Sequence, residues 1–259
     1  MEFEEIKQAY LDIDRIIHNT GSLTPEMKEI LSRGYVCCDN TGIEKGVPIM
    51  LTGINPSYNE KDKDTKKCPH SVIPFVFKSA SNRFWTEKKR QFGDLTDSMA
   101  YFDLFPIRET KHKEIFEKSF LYANDIRGRI LEITQRAIED IAPKLIVHTN
   151  RGSMFYWGIK TYGRGEDHIN PWMGYSVERV TRSNTPDLPK CCTKEHLNRF
   201  PLYRIVGFVD SEKRINNAVL KKSNLTYLME YVMQYRNEEY RKRLYSSENW
   251  KEIWNWLKK

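Results

Sequence analysis

The sequence predicts an α/β fold, a three-layer open parallel sheet with helices on both faces. Two short apolar runs, residues 47–52 and 145–147, have the composition of strands buried in the middle of such a sheet. Between them, Ile130, Thr134 and Ile138 belong to one helical stripe that Pro143 ends. Because strand, helix and strand follow each other, right-handed parallel crossovers are expected.

The N-terminal region predicts two helices that cap this core. Ile6, Tyr10 and Ile13 recur at steps of three and four, the period of an amphipathic helix over residues 3–17. Thr24 followed by Pro25 predicts the start of a second helix, with threonine as N-cap and proline at the first helical position. We expect one domain over residues 1–259, with this helical cap over about 1–45.

The remaining elements are predicted from shorter patterns and include a C-terminal helical extension over about 222–259. An apolar stripe of Trp250, Ile253, Trp254 and Leu257 is expected to pack on the core or on a second subunit, with a membrane surface as the alternative. The predicted elements are a strand over 99–105, an exposed strand over 175–181, a core strand over 203–209, a long helix over about 225–244 and a short helix over 250–257.

Composition limits the classes of function. The 259 residues carry 42 Lys and Arg against 35 Asp and Glu, a net charge of +7 that allows an anionic partner. With 39% hydrophobic residues evenly interrupted by charge, the chain fits neither a disordered protein nor one with a membrane span. Because the N-terminus lacks a signal pattern and the five cysteines are an odd number, we expect a cytoplasmic protein with reduced thiols and no membrane partner.

The segment after the first buried strand, Gly-Ile-Asn-Pro-Ser-Tyr at 53–58, is the first candidate for chemistry. Ligands of open parallel sheets bind beyond the carboxyl ends of the strands. Gly53 permits a close approach of backbone, and Pro56 fixes the turn. Asn55 is therefore placed to aim its amide at a bound group or water; alternatively, the amide stabilises its own turn.

Gly-Ile-Asn-Pro at 53–56 resembles the first motif of the mismatch-specific uracil/thymine-DNA glycosylases, a family of the uracil-DNA glycosylase superfamily. Asn-Arg-Phe-Trp at 82–85 is similar to a further stretch of that family, and Phe77 stands five residues before it. Residues 102–108 and 138–150 are more loosely similar to the superfamily's second and third strands. The resemblance covers about residues 47–158.

The resemblance implies a uracil-DNA-glycosylase-like fold and a monofunctional DNA glycosylase, a DNA-repair hydrolase. Such an enzyme hydrolyses the N-glycosidic bond of uracil or a related mismatched or damaged base, after flipping the base into a pocket. Asn55 would position the attacking water and Phe77 would stack on the base. An amide is no general base near neutral pH, so a slow enzyme is expected. The base-binding residues implied are Gly53, Ile54, Pro56, Ser57, Tyr58, Phe77 and Asn82.

The sequence departs from the family in two places. The loop 58–74 is longer than the family's, and the last motif, which enters the minor groove, has no clear counterpart. Segments 183–186 and 210–214 both compete for the place of that motif, and the second lies in the expected order. The missing motif leaves open an alternative, a non-catalytic protein of the same fold that binds nucleic acid or a nucleobase.

DNA is the expected partner, single- or double-stranded, through basic side chains near the pocket. The candidate nucleic-acid contacts are Lys88, Lys89, Arg90, Arg108, Ser211, Lys213 and Arg214.

No cofactor is predicted. An iron–sulfur cluster needs four thiolates, and the adjacent cysteine pairs lack the usual spacing. Cys68 with His70, and Cys191 or Cys192 with His196, could supply zinc ligands, although ordinary structural roles are more common. His148, at the end of a strand, is expected to be a hydrogen-bonded structural histidine or to touch a phosphate or base.

Overall fold

The computed structural model describes residues 1–19, 23–58, 67–80, 83–110, 124–159, 173–209, 223–231 and 244–259. It shows an α/β protein whose main sheet is mixed rather than wholly parallel. The helices are α1 (Phe3–Asn19), α2 (Pro25–Ser32), α3 (Arg83–Phe92), α4 (Asn124–Ile141), α5 (Arg151–Tyr156), α6 (Lys194–Arg199) and α7 (Ser247–Leu257). The strands are β1 (Tyr35–Cys38), β2 (Ile49–Gly53), β3 (Val72–Phe75), β4 (Ala100–Asp103), β5 (Leu145–His148), β6 (Tyr175–Arg179), β7 (Leu202–Phe208) and β8 (Tyr227–Glu230).

The six-stranded sheet has the order β4-β2-β5-β8-β7-β6. The first four of these strands are parallel, and β7 and β6 continue the sheet in antiparallel pairs. β2 and β5 consist of fully buried residues, as the apolar runs predicted. Along the chain, the connection from β2 leads to β4 on one side, and the next parallel strand, β5, lies on the other side of β2.

Helices lie on both faces of this sheet, as predicted. Successive side chains of a strand point to opposite faces. The ring of Tyr101 contacts Trp85 of α3 with centroids 4.7 Å apart, whereas its neighbour Phe102 lines a small pocket together with Ala137 and Ile141 of α4. The two helices therefore cover opposite faces of β4.

The N-terminal helices form as the sequence predicted. The apolar stripe of α1 is buried, and the hydroxyl groups of Tyr10 and Thr134 lie 2.9 Å apart where α1 packs on α4. Thr24 caps α2 by accepting a hydrogen bond from the backbone N–H of Met27. β1 and β3 form a separate two-stranded parallel sheet that the sequence did not predict.

The outer edge of β4 is covered by a side chain. Asn40 donates a hydrogen bond from Nδ2 to the carbonyl oxygen of Tyr101 (3.0 Å) and accepts one at Oδ1 from the N–H of the same residue (3.2 Å). The amide of Asn40 thus occupies both ladder groups that a further strand would use at this position.

Two predictions for the C-terminal half were wrong. The expected long helix over about 225–244 begins instead with β8, where Leu228 and Met229 are buried in the sheet between β5 and β7; residues 232–243 lie outside the described residues. The expected core strand at 203–209 is β7, which is mostly half-buried and exposes 55% of Val206. β7 lies next to the last strand of the sheet, between β8 and β6.

The aromatic C-terminal helix, α7, packs on the core. This is the first of the placements expected from its apolar stripe, and a membrane surface was the alternative. Trp250 is fully buried, and its ring lies 4.5 Å from Phe92 and 5.0 Å from Tyr231. In the parts of the chain that the structure describes, no helix combines the length and the apolarity that crossing a bilayer requires.

Candidate active site at the carboxyl edge of the sheet

The carboxyl ends of β2, β4 and β5 meet where the direction of chain winding reverses. At such a switch point the loops leave in opposite directions and open a crevice. Gly53 is the register partner of Asp103 across β2 and β4, and the N–H of Thr149, just after β5, donates to the carbonyl oxygen of Thr52 (3.1 Å). The segment at 53–58 that the sequence singled out therefore lies at this crevice.

Four residues form a polar group at this edge, which we call the Asp103 cluster: Gly53, Lys88, Tyr101 and Asp103. The Tyr101 hydroxyl donates to Oδ1 of Asp103 (2.7 Å). A Cβ atom on Gly53 would lie 2.3 Å from that Oδ1 and 2.8 Å from the Tyr101 hydroxyl, so only glycine allows this approach.

Burial dominates the ionisation of this cluster. Removal from water raises the pKa of Asp103 to about 7, against a smaller opposing effect of the Tyr101 hydrogen bond and the charge of Lys88. Removal from water also lowers the pKa of Lys88 to about 7, and the side chain is only 1% exposed. Asp103 itself keeps some accessible surface. The site therefore holds a carboxyl group whose pKa is raised to near neutrality by its removal from water.

Aromatic rings line the space beside the cluster. Trp85 lies centrally, with its ring 5.0 Å from Phe75, 5.6 Å from Phe77 and 4.7 Å from Tyr101. The rings of Phe77 and Tyr101 are nearly parallel at 5.9 Å and 22°. Phe77 is 4% exposed, so its ring is covered in this structure rather than open to a base.

Asn55 uses its amide nitrogen to tie two loops together. Nδ2 donates to the carbonyl oxygens of Glu109 (2.6 Å), Pro56 (3.1 Å) and Ile107 (3.2 Å). The bond to Pro56 is the turn-stabilising role that the sequence left open as an alternative. Because the N–H groups are fixed in this way, the orientation of Oδ1 is fixed as well, and no described residue donates to it.

The other residues at 53–58 serve mainly the packing of the loop. Ile54 is buried against Gly152, whose added Cβ would lie 2.5 Å from Cδ1 of Ile54. Pro56 accepts a hydrogen bond from the N–H of Glu109 (3.0 Å), and Ser57 is exposed. Tyr58 is buried, with the guanidinium group of Arg33 lying 4.4 Å from its ring centroid.

The basic residues predicted to contact nucleic acid lie in different places. Lys88 is in the interior rather than on a solvated face, and its Nζ lies 5.8 Å from the ring centroid of Trp85. Lys89 donates to the carbonyl oxygens of Lys78 and Ala80 (both 2.6 Å). Arg108 is 6% exposed and donates to the carbonyl oxygen of Arg33 (2.5 Å).

Only Arg90 of this described group extends into solvent; its guanidinium is 68% exposed and pairs with Glu87 at 2.7 Å. The predicted site residues Asn82, Ser211, Lys213 and Arg214 lie outside the described residues.

His148 is a buried structural histidine. Its Nδ1 lies 2.8 Å from the Ser153 hydroxyl, and burial lowers its pKa to about 3, so the ring is neutral. Segment 183–186, one candidate for the missing last motif, forms a turn in which Oδ1 of Asn184 accepts from the N–H of Thr181 (2.8 Å) and Arg204 donates to the Thr185 hydroxyl (2.5 Å). The competing segment 210–214 lies outside the described residues.

The sequence analysis missed Asp103, although a signal was present. Asp103 is the one charged residue in the apolar run 99–105, at the carboxyl end of a predicted strand. A charge in that position is expected beside a site rather than in a core.

Comparison with known proteins adds no relative: no family model, no curated protein and no solved structure matches this chain.

Proposed function

We propose that this chain is a DNA base-excision glycosylase with a uracil-DNA-glycosylase-like fold, hydrolysing the N-glycosidic bond of uracil or a related mismatched or damaged base. The observation that carries the proposal is the position of Asp103, directly across from Gly53 in the motif that resembles the glycosylase family. The order of the four parallel strands around the β2–β5 crevice is compatible with it.

Asp103 supplies the general base that the sequence-based mechanism lacked. With a pKa of about 7, the carboxylate takes a proton from water near neutral pH. Oδ1 of Asn55, fixed by the bonds of its amide nitrogen, accepts the second hydrogen of that water and orients it. The water oxygen bonds to the sugar C1′, the C1′–N bond breaks, and its electron pair leaves with the base.

The aromatic cluster provides the wall of the base pocket. A flipped base gains on the order of 1 to 3 kcal/mol from stacking on an aromatic ring. Because Phe77 is 4% exposed, the base reaches that ring only after its cover moves, as lids do in many enzymes.

An excision assay tests this proposal. Labelled single-stranded and duplex oligonucleotides carrying one uracil, one G·T mismatch or one hypoxanthine are incubated with the protein and then cut with alkali at abasic sites. We expect cleavage that increases as the pH rises through about 7, and a loss of about 10²- to 10⁴-fold in Asp103→Asn. Asn55→Ala should also reduce cleavage, whereas Asp94→Asn, at a 97% exposed carboxylate, should not.

A second candidate function is non-catalytic binding of nucleic acid or a nucleobase. The covered ring of Phe77 and the occupied amide nitrogen of Asn55 favour it, because both are arranged as structural groups. Salt-sensitive DNA binding without any cleavage at enzyme excess would support this function and reject the glycosylase. Equal cleavage by the protein and Asp103→Asn would reject Asp103 as the base.

A further inference from the structure

A second polar cluster lies on the N-terminal cap, away from the proposed active site. Asp14 and His18 stand four residues apart on one face of α1, and His70 reaches the same place from the segment before β3. We call these three residues the Asp14 cluster. Their carboxylate and imidazole ligand atoms all lie within 4.8 Å of one another.

The distances in this cluster are close to those of a metal site. Nδ1 of His70 lies 2.7 Å from Oδ2 of Asp14, and Nε2 of His18 lies 3.5 Å from Oδ1. Zinc bonds of about 2.0–2.2 Å in a tetrahedral arrangement separate ligand atoms by roughly 3.3 Å. An ion would replace the direct contact between His70 and Asp14, and these ligand atoms would separate to that spacing.

A hydrogen bond from a neighbouring tyrosine orients the carboxylate of this cluster. Asp14 is only 3% exposed, and the Tyr35 hydroxyl donates to its Oδ1 at 2.6 Å. Hydrogen bonds of this kind fix the direction of a ligand and are typical of built metal sites. The imidazoles of His18 and His70, 32% and 62% exposed, leave the outer side accessible to an ion from solvent.

The backbone also holds His70 in place. Gly34, with a φ of +72°, packs so closely that an added Cβ would lie 2.3 Å from the carbonyl oxygen of Cys68. The N–H of Tyr35 donates to the carbonyl oxygen of Ser71 (2.9 Å). The segment carrying His70 is thereby fixed to the strand that carries Tyr35.

We propose that Asp14, His18 and His70 bind one divalent transition-metal ion, with zinc as the best match to two imidazoles and one carboxylate. Such a ligand set leaves one coordination position for water or another ligand. The ion would join α1 to the segment that leads into β3, and so would fasten the N-terminal cap to the rest of the protein. Cys68, which the sequence paired with His70, is two residues away along the chain, but its Sγ is not among the ligand atoms that lie within 4.8 Å of one another.

Zinc titration of the full chain tests this site, with a chromophoric chelator as competitor and Co²⁺ absorption as a report of coordination. We expect one ion per chain and a rise in melting temperature of roughly 5 to 10 °C at zinc concentrations about 100-fold above Kd. His18→Ala and His70→Ala should each weaken binding at least about tenfold. His196→Ala is the matched control, because among the described residues His196 joins no group of three possible ligands and its Nδ1 contacts Thr193, the N-cap of α6.

The variants decide between this site and other zinc ligands. Asp14→Asn keeps the shape of the side chain and should weaken binding without unfolding the cap. Weaker binding in both histidine variants with unchanged binding in Cys68→Ser supports the site with water in its fourth position. The proposal is overturned if the protein does not bind one zinc ion per chain. It is also overturned if binding is lost only in Cys68→Ser or is unchanged in both histidine variants.

Discussion

Asp14 and Asp103 both lie among apolar side chains, but their polar partners differ. The carboxylate of Asp14 accepts a hydrogen bond from the Tyr35 hydroxyl (2.6 Å). Its oxygens also lie 2.7 Å from Nδ1 of His70 and 3.5 Å from Nε2 of His18. The carboxyl group of Asp103 accepts one hydrogen bond, from the Tyr101 hydroxyl (2.7 Å), and lies near the buried ammonium group of Lys88.

This difference shows how the number of donors decides what a carboxylate in the interior can do. The Tyr35 hydroxyl orients the carboxylate of Asp14 between two facing imidazole nitrogens, an arrangement suited to holding an ion. With one donor, desolvation outweighs hydrogen bonding at Asp103, and its pKa rises to about 7.

The largest effect is a minimum of stability near pH 7. The folded pKa of Asp103 is raised from 3.8 to about 7, so the unfolded state releases its proton first and stability falls by roughly 3 kcal/mol between about pH 4 and 7. The folded pKa of Lys88 is lowered from 10.5 to about 7, so stability rises again between about pH 7 and 10. Urea unfolding across this range measures both slopes.

Asp103→Asn isolates the acidic slope of that profile. The variant should lose the decrease between pH 4 and 7, whereas Asp94→Asn should retain it because Asp94 is exposed. An unchanged slope in Asp103→Asn would show that another group causes it.

Gly53→Ala should destabilise the protein by about 2 kcal/mol, because the new Cβ collides with Asp103 and with the Tyr101 hydroxyl. Chemical denaturation of Gly53→Ala, Asp103→Ala and the double variant forms a cycle. We expect the double variant to lose less than the sum of the single ones, since removing the carboxylate relieves the closer contact. Strict additivity would contradict the described contact.

Tyr35→Phe should cost about 1.5 kcal/mol, because it removes a hydrogen bond to the carboxylate of Asp14. It should also weaken zinc binding about tenfold, since the carboxylate loses the group that orients it. Tyr10→Phe, which removes a hydroxyl contact with Thr134 instead, should leave the zinc affinity unchanged. Equal affinities in all three proteins would separate Tyr35 from the proposed site.

The smallest effect is expected outside both clusters. Arg90→Ala removes an exposed ion pair with Glu87 and should change stability by less than about 0.5 kcal/mol. If Arg90 contacts phosphate, the slope of log affinity for DNA against log salt should decrease in magnitude by about one. An unchanged salt slope would remove Arg90 from the interface.

The parts of the fold with local signals were predictable. β2 and β5 are buried on both faces, so they appear in the sequence as continuous apolar runs. β8 was missed because its position depends on pairing with β5, where Tyr227 lies opposite Leu145, and no short-range pattern encodes that partner. The two-stranded sheet of β1 and β3 was missed for the same reason. Each strand has only four residues, and its partner lies far away along the chain.

The candidate site was predictable in place but not in chemistry. The turn at 53–58 does lie at the carboxyl edge, as strand polarity required. The sequence could not show that Asn55 binds the carbonyl oxygens of Ile107 and Glu109, because those residues are more than fifty positions away. The burial of Lys88 likewise depends on how α3 packs against β4.

The amide of Asn40 has a consequence for association. β4 is the last strand on its side of the sheet and carries Tyr101 and Asp103, so an open edge there would invite pairing with a second chain. Asn40 satisfies both backbone groups of Tyr101 and acts as a one-residue imitation of a neighbouring strand. At Tyr101 the edge strand that also carries Asp103 is thus blocked from pairing with a further strand, and Asn40→Leu, which lacks both amide groups, should expose this position and increase aggregation in light scattering.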